Sequence, residues 1–134
     1  MSNKQVITEL NVEQLIDLQK SMGNCVLIIK FGADWCGPCK KIAPFYKEFI
    51  KTSGENILFA DIDVDENLDL YMALKKHKMI QGIPVFLAFH GDKEREKWYI
   101  PDDSIIGADE KAVNDFFIRC QTNANNSPPY TYYS

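Results

Sequence analysis

Two thiols one helical turn apart, set directly behind an apolar run, constrain this chain more than any other feature. The run is Val26-Leu27-Ile28-Ile29, and the thiols belong to Trp35-Cys36-Gly37-Pro38-Cys39-Lys40. A strand feeding a helix whose first turn carries Cys-x-x-Cys is an arrangement for making and breaking disulfides. Cys36 stands where the strand ends and the helix begins, with its sulfur under the helix N-terminal dipole, which favours the attacking thiolate. Cys39, one turn later and expected to be more buried, suits the thiol that releases a mixed disulfide. Gly37 lets a substrate backbone approach, and Pro38 stiffens the turn so that the two sulfurs stay in bonding range. Half of a zinc site is the other reading of such a pair, but it needs two more ligands at matching spacing. Cys25 and Cys120 are isolated, and His77 and His90 have no cysteine near them in sequence.

The elements around the pair are readable from periodicity. Asn11 with Gln14 forms a capping-box-like helix start, after which Leu15, Leu18 and Met22 share one face. Gly23-Asn24 ends that helix. Cys25 to Phe31 is a short apolar run broken only by Lys30, the pattern of a central strand buried on both faces. The helix opening at the cysteines is expected to run to about Thr52, with Ile42, Phe45, Phe49 and Ile50 inward and Pro44 kinking it. Ile57 to Val64 reads as a second strand and Asn67 to about Lys78 as a helix with Leu70, Tyr71 and Leu74 inward. Val85 to Phe89 is a third strand, followed by the turn His90-Gly91-Asp92. A closing helix is predicted from about Asp109 to Cys120, with Ala112, Val113, Phe116 and Phe117 buried. This order gives an α/β fold: a central mixed sheet of four to five strands flanked by about four helices. Arg95 to Ser104 reads equally as a strand extension or a loop. Residues 1–120 are expected to form one domain, and 121–134, rich in Asn, Pro and Tyr without periodicity, a disordered tail.

Bulk properties exclude several classes. With 134 residues, 46% hydrophobic and 25% charged, the chain can bury one core without staples. A net charge of −4 and the lack of any basic run argue against nucleic acid as a partner. No window approaches the ~18 apolar residues of a membrane span. The polar start Met1-Ser2-Asn3-Lys4-Gln5 lacks a secretory signal, and four cysteines are too few for a disulfide scaffold, so a reducing cytoplasm is the expected compartment.

Phe31-Gly32-Ala33-Asp34-Trp35-Cys36-Gly37-Pro38-Cys39-Lys40 resembles the active-site segment of the thioredoxin family. Pro44 matches the family's helix-kinking proline, Ile62-Asp63-Val64-Asp65 its third strand, and Gly82-Ile83-Pro84 the segment carrying its cis-proline. Gly107-Ala108 resembles the small pair lining its substrate groove. The similarity covers about residues 5 to 120. It implies a thioredoxin fold and protein-disulfide reductase activity, with Cys36 as nucleophile, Cys39 as resolving thiol and Cys36–Cys39 as the redox-active disulfide. Trp35 would cover the site, with an ordinary core aromatic as the other reading, while Ile83 and a cis Pro84 offer backbone groups to an extended substrate. Gly-Pro between the cysteines points to the reducing end of the scale, where thioredoxin stands at about −270 mV. The expected partners are disulfide-containing proteins and a flavin-containing thioredoxin reductase drawing on NADPH. No bound cofactor or metal is required, and a monomer serving electron transport and cell redox homeostasis is expected.

The chain departs from the family at one buried position. Thioredoxins usually carry a buried Asp six residues before the first cysteine; here that residue is Lys30, and the position across from it, 25 residues after Cys36, is Asp61. Bacterial members of the family often have a Lys at that second position, so the resemblance implies the same pair with its charges exchanged. A lone ammonium in such a strand would be costly, so Lys30 must pair with Asp61 or reach solvent. One reading makes Asp61 the base, through water, and Lys30 a thiolate-stabilising cation; the other has Lys30 merely snorkel out of the sheet. Relative to a typical thioredoxin, the helix before Gly82 is about one turn longer, and the stretch from Gly91 to Gly107 carries extra residues. Within that stretch Lys93 to Lys97 reads as a solvated face and Trp98 as either core or a partner anchor. Cys25 and Cys120 read as buried or idle thiols, with an intermolecular disulfide open to Cys120 if its helix end is exposed. These departures keep alive an alternative function, a thioredoxin-fold binding or regulatory module with weak redox turnover.

Overall fold

The computed structural model describes residues 4–126. Its backbone is a five-stranded sheet in the order β1-β3-β2-β4-β5, formed by β1 (Val6–Ile7), β2 (Val26–Gly32), β3 (Ile57–Asp63), β4 (Val85–His90) and β5 (Asp103–Ile106). β1, β3 and β2 run parallel, while β4 and β5 pair antiparallel, so the sheet is mixed as the element order predicts. All seven residues of β2 are buried, which explains why its sequence is a continuous apolar run rather than an alternating one. Its terminal residue Gly32 leads into the cysteine turn, so the fully buried central strand of the sheet carries the candidate site.

Four helices, α1 (Val12–Ser21), α2 (Gly37–Thr52), α3 (Leu68–Lys76) and α4 (Glu110–Asn126), cover the sheet. Asn11 and Gln14 form the reciprocal capping box that the sequence predicts for α1. α1 and α3 pack on one face through Leu15, Leu70 and Leu74 against Leu27, Ile29 and Phe31. α2 and α4 pack on the other, where Ile42, Tyr46, Phe116 and Phe117 meet Val26, Ile28, Phe59 and Phe86. The alternation of β2 side chains between these two cores places Lys30 on the α2 side, in line with Val26 and Ile28.

Tyr46, absent from the sequence-predicted stripe, is the largest of the fully buried side chains. Its hydroxyl donates to the Ala60 carbonyl at 2.9 Å, and its ring meets Phe59, Phe86 and Phe117. Burial, helped by the charge of Asp61, holds its ionisation well above the usual tyrosine range, so it is a neutral hydrogen-bonded strut fixing α2 to the sheet. The helix that carries both cysteines is therefore anchored about two turns behind Cys39.

One expectation is corrected, one open reading is resolved and one strand is added. α4 continues to Asn126, so the stretch taken for a tail from Gln121 is helical over residues 121–126, with Ala124 fully buried. Gln121 also accepts a hydrogen bond from the Gly54 N–H at 3.1 Å. The remainder of that expected tail, 127–134, lies outside the described residues. The ambiguous 95–104 segment resolves into a loop followed by β5, and β1 is a strand the sequence reading did not place.

The loop between β4 and β5 is closed by Asp102. Its carboxylate accepts from Lys93 and Arg95 side chains and from the His90 N–H, and Arg95 lies over the Phe89 ring. Burial alone would raise this carboxyl, but the hydrogen bonds from Lys93, His90 and Arg95 outweigh it and hold it below the ordinary aspartate range. A depressed carboxylate contributes stability that is full above the unfolded value of ~3.9 and is lost as pH falls through the folded one. Asp102→Asn is expected to cost about 1.5–3 kcal/mol at pH 7, because the half-buried Arg95 loses its charged acceptor. Urea unfolding at pH 7 and pH 3 checks this, and the gap between variant and parent should narrow at the lower pH.

Candidate active site

β2 ends and α2 begins within four residues, and that junction decides the geometry of the thiols. Cys36 is the N-cap of α2, with extended backbone, and its sulfur accepts the N–H of Cys39 at 3.2 Å. A helix leaves its first N–H groups unpaired, and here a sulfur takes the place usually filled by Ser or Asp. The two cysteines are joined as a disulfide, with Cα atoms 5.3 Å apart. Both are shielded, 6% and 3% exposed, with Cys39 the deeper as its position predicts. Pro38 lies in the first turn, where its missing N–H costs nothing. A side chain at Gly37 would meet no other atom, so the backbone beside the disulfide is open to approach.

The opposite wall comes from the loop before β4 and the end of β5. The Ile83–Pro84 bond is cis, as the family resemblance implies, and the Ile83 carbonyl oxygen lies 3.9 Å from Cys36 Sγ. Gly107 adopts φ +104°, a conformation that favours glycine, and its N–H donates to the Pro84 carbonyl at 2.8 Å. Ala108 is half-buried and packs against the α2–α4 core. Trp35 is 69% exposed and its indole N–H donates to Asp65 at 2.8 Å, which excludes the core reading and fixes the ring beside the disulfide. The sequence reading missed Ile106, which is 52% exposed and closes against Gly82. Its only signal was an apolar residue next to Gly107.

Lys30 and Asp61 are direct register partners on β2 and β3, with Nζ 3.8 Å from Oδ1. The lysine is 6% exposed and the aspartate 43%, so the pair runs from the interior to solvent and the lysine does not snorkel out alone. They line a cavity of about 220 Å³ that also touches Gly32, Cys39, Lys40 and Ala43. The two remaining cysteines stand apart from the site. Cys25 is partly exposed at the start of β2, and burial raises its thiol above the ordinary range. Cys120 is buried in α4, not at an exposed helix end. Its thiol is pushed up to about 12, first by burial and then by the charge of Asp103, with Arg119 opposing. Trp98 is half-buried, packed against the α1–α3 core, with Tyr99 stacked on His77.

A disulfide that caps its own helix, next to an exposed tryptophan held by Asp65 and faced by a cis-proline, stands at the end of the central strand of a mixed α/β sheet. The Thioredoxin family model matches residues 5–112. Thioredoxin from Geodia cydonium is 34% identical over 96 residues, which cover 72% of this chain and 80% of that protein. Thioredoxin domain-containing protein 8 from Rattus norvegicus is 34% identical over 79 residues, 59% of this chain; the match spans only 58% of the rat protein's length. Among solved structures, Plasmodium falciparum thioredoxin superposes with a TM-score of 0.64 at 27% identity, covering 84% of this chain and 98% of that one. The chain belongs to the thioredoxin family. Among the described residues no helix is long and apolar enough to cross a membrane.

The thiol environments set an order of reactivity. In the native reduced protein at pH 8, Cys36 is expected to alkylate first, Cys25 slowly and increasingly at higher pH, and Cys120 only after unfolding. Mass spectrometry of iodoacetamide-labelled peptides over time checks the order, and early labelling of Cys120 would contradict its placement.

Proposed function

We propose that the protein is a protein-disulfide reductase that cycles between the Cys36/Cys39 dithiol and the disulfide. The observation carrying this reading is the cap geometry: the sulfur of Cys36 receives both a backbone N–H and the positive end of α2, so it is the better thiolate of the pair. Cys36 attacks one sulfur of a substrate disulfide, forming a mixed disulfide and expelling the first substrate thiolate with its electron pair. Cys39, deprotonated, then attacks the Cys36 sulfur. The new Cys36–Cys39 bond forms, the bond to substrate breaks, and the second substrate thiolate leaves and is protonated. Two electrons pass from the dithiol to the substrate.

The walls of the site fit a peptide rather than a small molecule. Extended chain laid beside Ile83 and Pro84 can pair with backbone groups there, between the apolar surfaces of Trp35, Pro38 and Ile106 and over the open backbone at Gly37 and Gly107. The cysteines themselves carry the electrons, so no bound cofactor is called for. NADPH, through a flavin-containing thioredoxin reductase, is the source that would restore the dithiol, in a reducing compartment such as the cytoplasm.

Reduction of a model protein disulfide, driven first by a chemical dithiol and then by NADPH with thioredoxin reductase, tests this reading. Turnover is expected with both, falling at least ~10³-fold in Cys36→Ser, while Cys39→Ser accumulates a mixed disulfide visible on a non-reducing gel. Partner binding without turnover in the parent protein, persisting in Cys36→Ser, would instead mark a binding module.

A further inference from the structure

The cavity behind the disulfide is lined by the buried Lys30 and by Cys39, but not by Cys36. Gly32 is the wall between them: a Cβ there would lie 3.3 Å from Cys39 Sγ and 3.8 Å from Lys30 Cε. Only the width of one absent methyl group separates the two side chains, which puts Lys30 Cε within about 7 Å of the sulfur. On its other side Lys30 is opposite Phe86 of β4, an apolar neighbour, so its charge is not spent on a second partner there. The other charged groups facing the cavity are Asp34 before α2, Lys40 on α2, and Asp61 and Asp63 on β3. Of these, Asp61 is the one in ion-pair contact with Lys30.

Resting on the exchange reading above, we infer that Lys30 is a positioning residue for the resolving step: its ammonium, held by Asp61 across the cavity, stabilises the Cys39 thiolate. The first attack is served by the helix cap at Cys36, but Cys39 lies deeper and is not the N-cap, so its ionisation needs another source of positive charge. The cavity has the volume to hold several waters and is lined by polar groups, which gives the Cys39 proton a route to the half-exposed carboxylate of Asp61 and on to solvent. The bookkeeping of the step is unchanged: the thiolate displaces the substrate sulfur, and the lost proton leaves by this path.

A unit charge at this range in a partly hydrated interior shifts a thiol titration by about one pH unit. A tenfold loss of thiolate, partly offset by the greater nucleophilicity of a more basic sulfur, slows resolution about threefold at pH 7. The test uses the reduced full chain mixed with 5,5′-dithiobis(2-nitrobenzoate) in a stopped-flow instrument. Capture by Cys36 gives a first release of coloured thiolate that depends on reagent concentration, and resolution by Cys39 gives a second that does not. In Lys30→Met the pH midpoint of the second phase is expected to rise by about one unit, while Lys30→Arg keeps the parent profile. Methionine is close in length and apolar, so this variant is expected to fold; circular dichroism checks that it does. A Lys30→Met profile identical to the parent, or an equal shift in Lys30→Arg, would overturn the assignment. A parent protein with no second phase would overturn the exchange reading itself, and the role of Lys30 with it.

Discussion

Cys36 caps the helix that it reacts from, and the rest of the site is arranged around that contact. The first turn of any helix presents N–H groups with no internal partner, and the sulfur of Cys36 accepts one of them from Cys39. A charged acceptor is held more strongly than a neutral one: the charge-assisted hydrogen bond is worth about 1.5–3 kcal/mol. The helix terminus adds about 0.3–1 kcal/mol more. Both terms favour the thiolate over the thiol. The same contact requires that β2 end at the right height, that Pro38 sit early in α2, and that α2 not rotate. Tyr46 secures the last condition through its hydroxyl on the Ala60 carbonyl and its burial among Phe59, Phe86 and Phe117.

The exchange of charge at Lys30 and Asp61 shows how a sheet tolerates an ion on a strand otherwise apolar throughout. Parallel register puts the two side chains on one face and side by side, and the partial exposure of Asp61 spares it the full cost of desolvation. A buried ammonium with no counter-charge would be driven to the neutral form. The neighbouring Gly32 has no side chain to fill the space between this pair and Cys39, so the ion pair and the disulfide share one cavity. Packing thus links the electrostatics of the central strand to the chemistry at its end.

Much of this was legible in the sequence because long elements bury faces of regular period. The capping box of α1, the doubly buried β2 and the placement of the cysteines follow from residue order alone, whereas the pairing of Lys30 with Asp61 was supplied by the family's pattern counted from Cys36. The cis state of Ile83–Pro84 was supplied by family resemblance, since nothing local distinguishes it. What escaped was short or weakly patterned. β1 has two residues, too few for any period, and β5 is an edge strand with no fully buried side chain. The end of α4 is polar except for Ala124, so one buried methyl group had to outweigh a run of Asn and Gln. Tyr46 lies in a helix rich in aromatics, and only the packing of α4 against α2 shows that it, rather than Phe45 or Phe49, takes the innermost position.

The pH dependence of Cys36 alkylation in freshly reduced protein is the measurement closest to the centre of this account. A sulfur that accepts a backbone N–H at a helix N-terminus should react as a thiolate at neutral pH, with a rate midpoint near or below 7, well under the ~8.5 of a free cysteine. A midpoint at the free-cysteine value or above it, with Cys36 accessible to the reagent, would mean that the cap does not stabilise the charge and that the proposed exchange chemistry lacks its nucleophile.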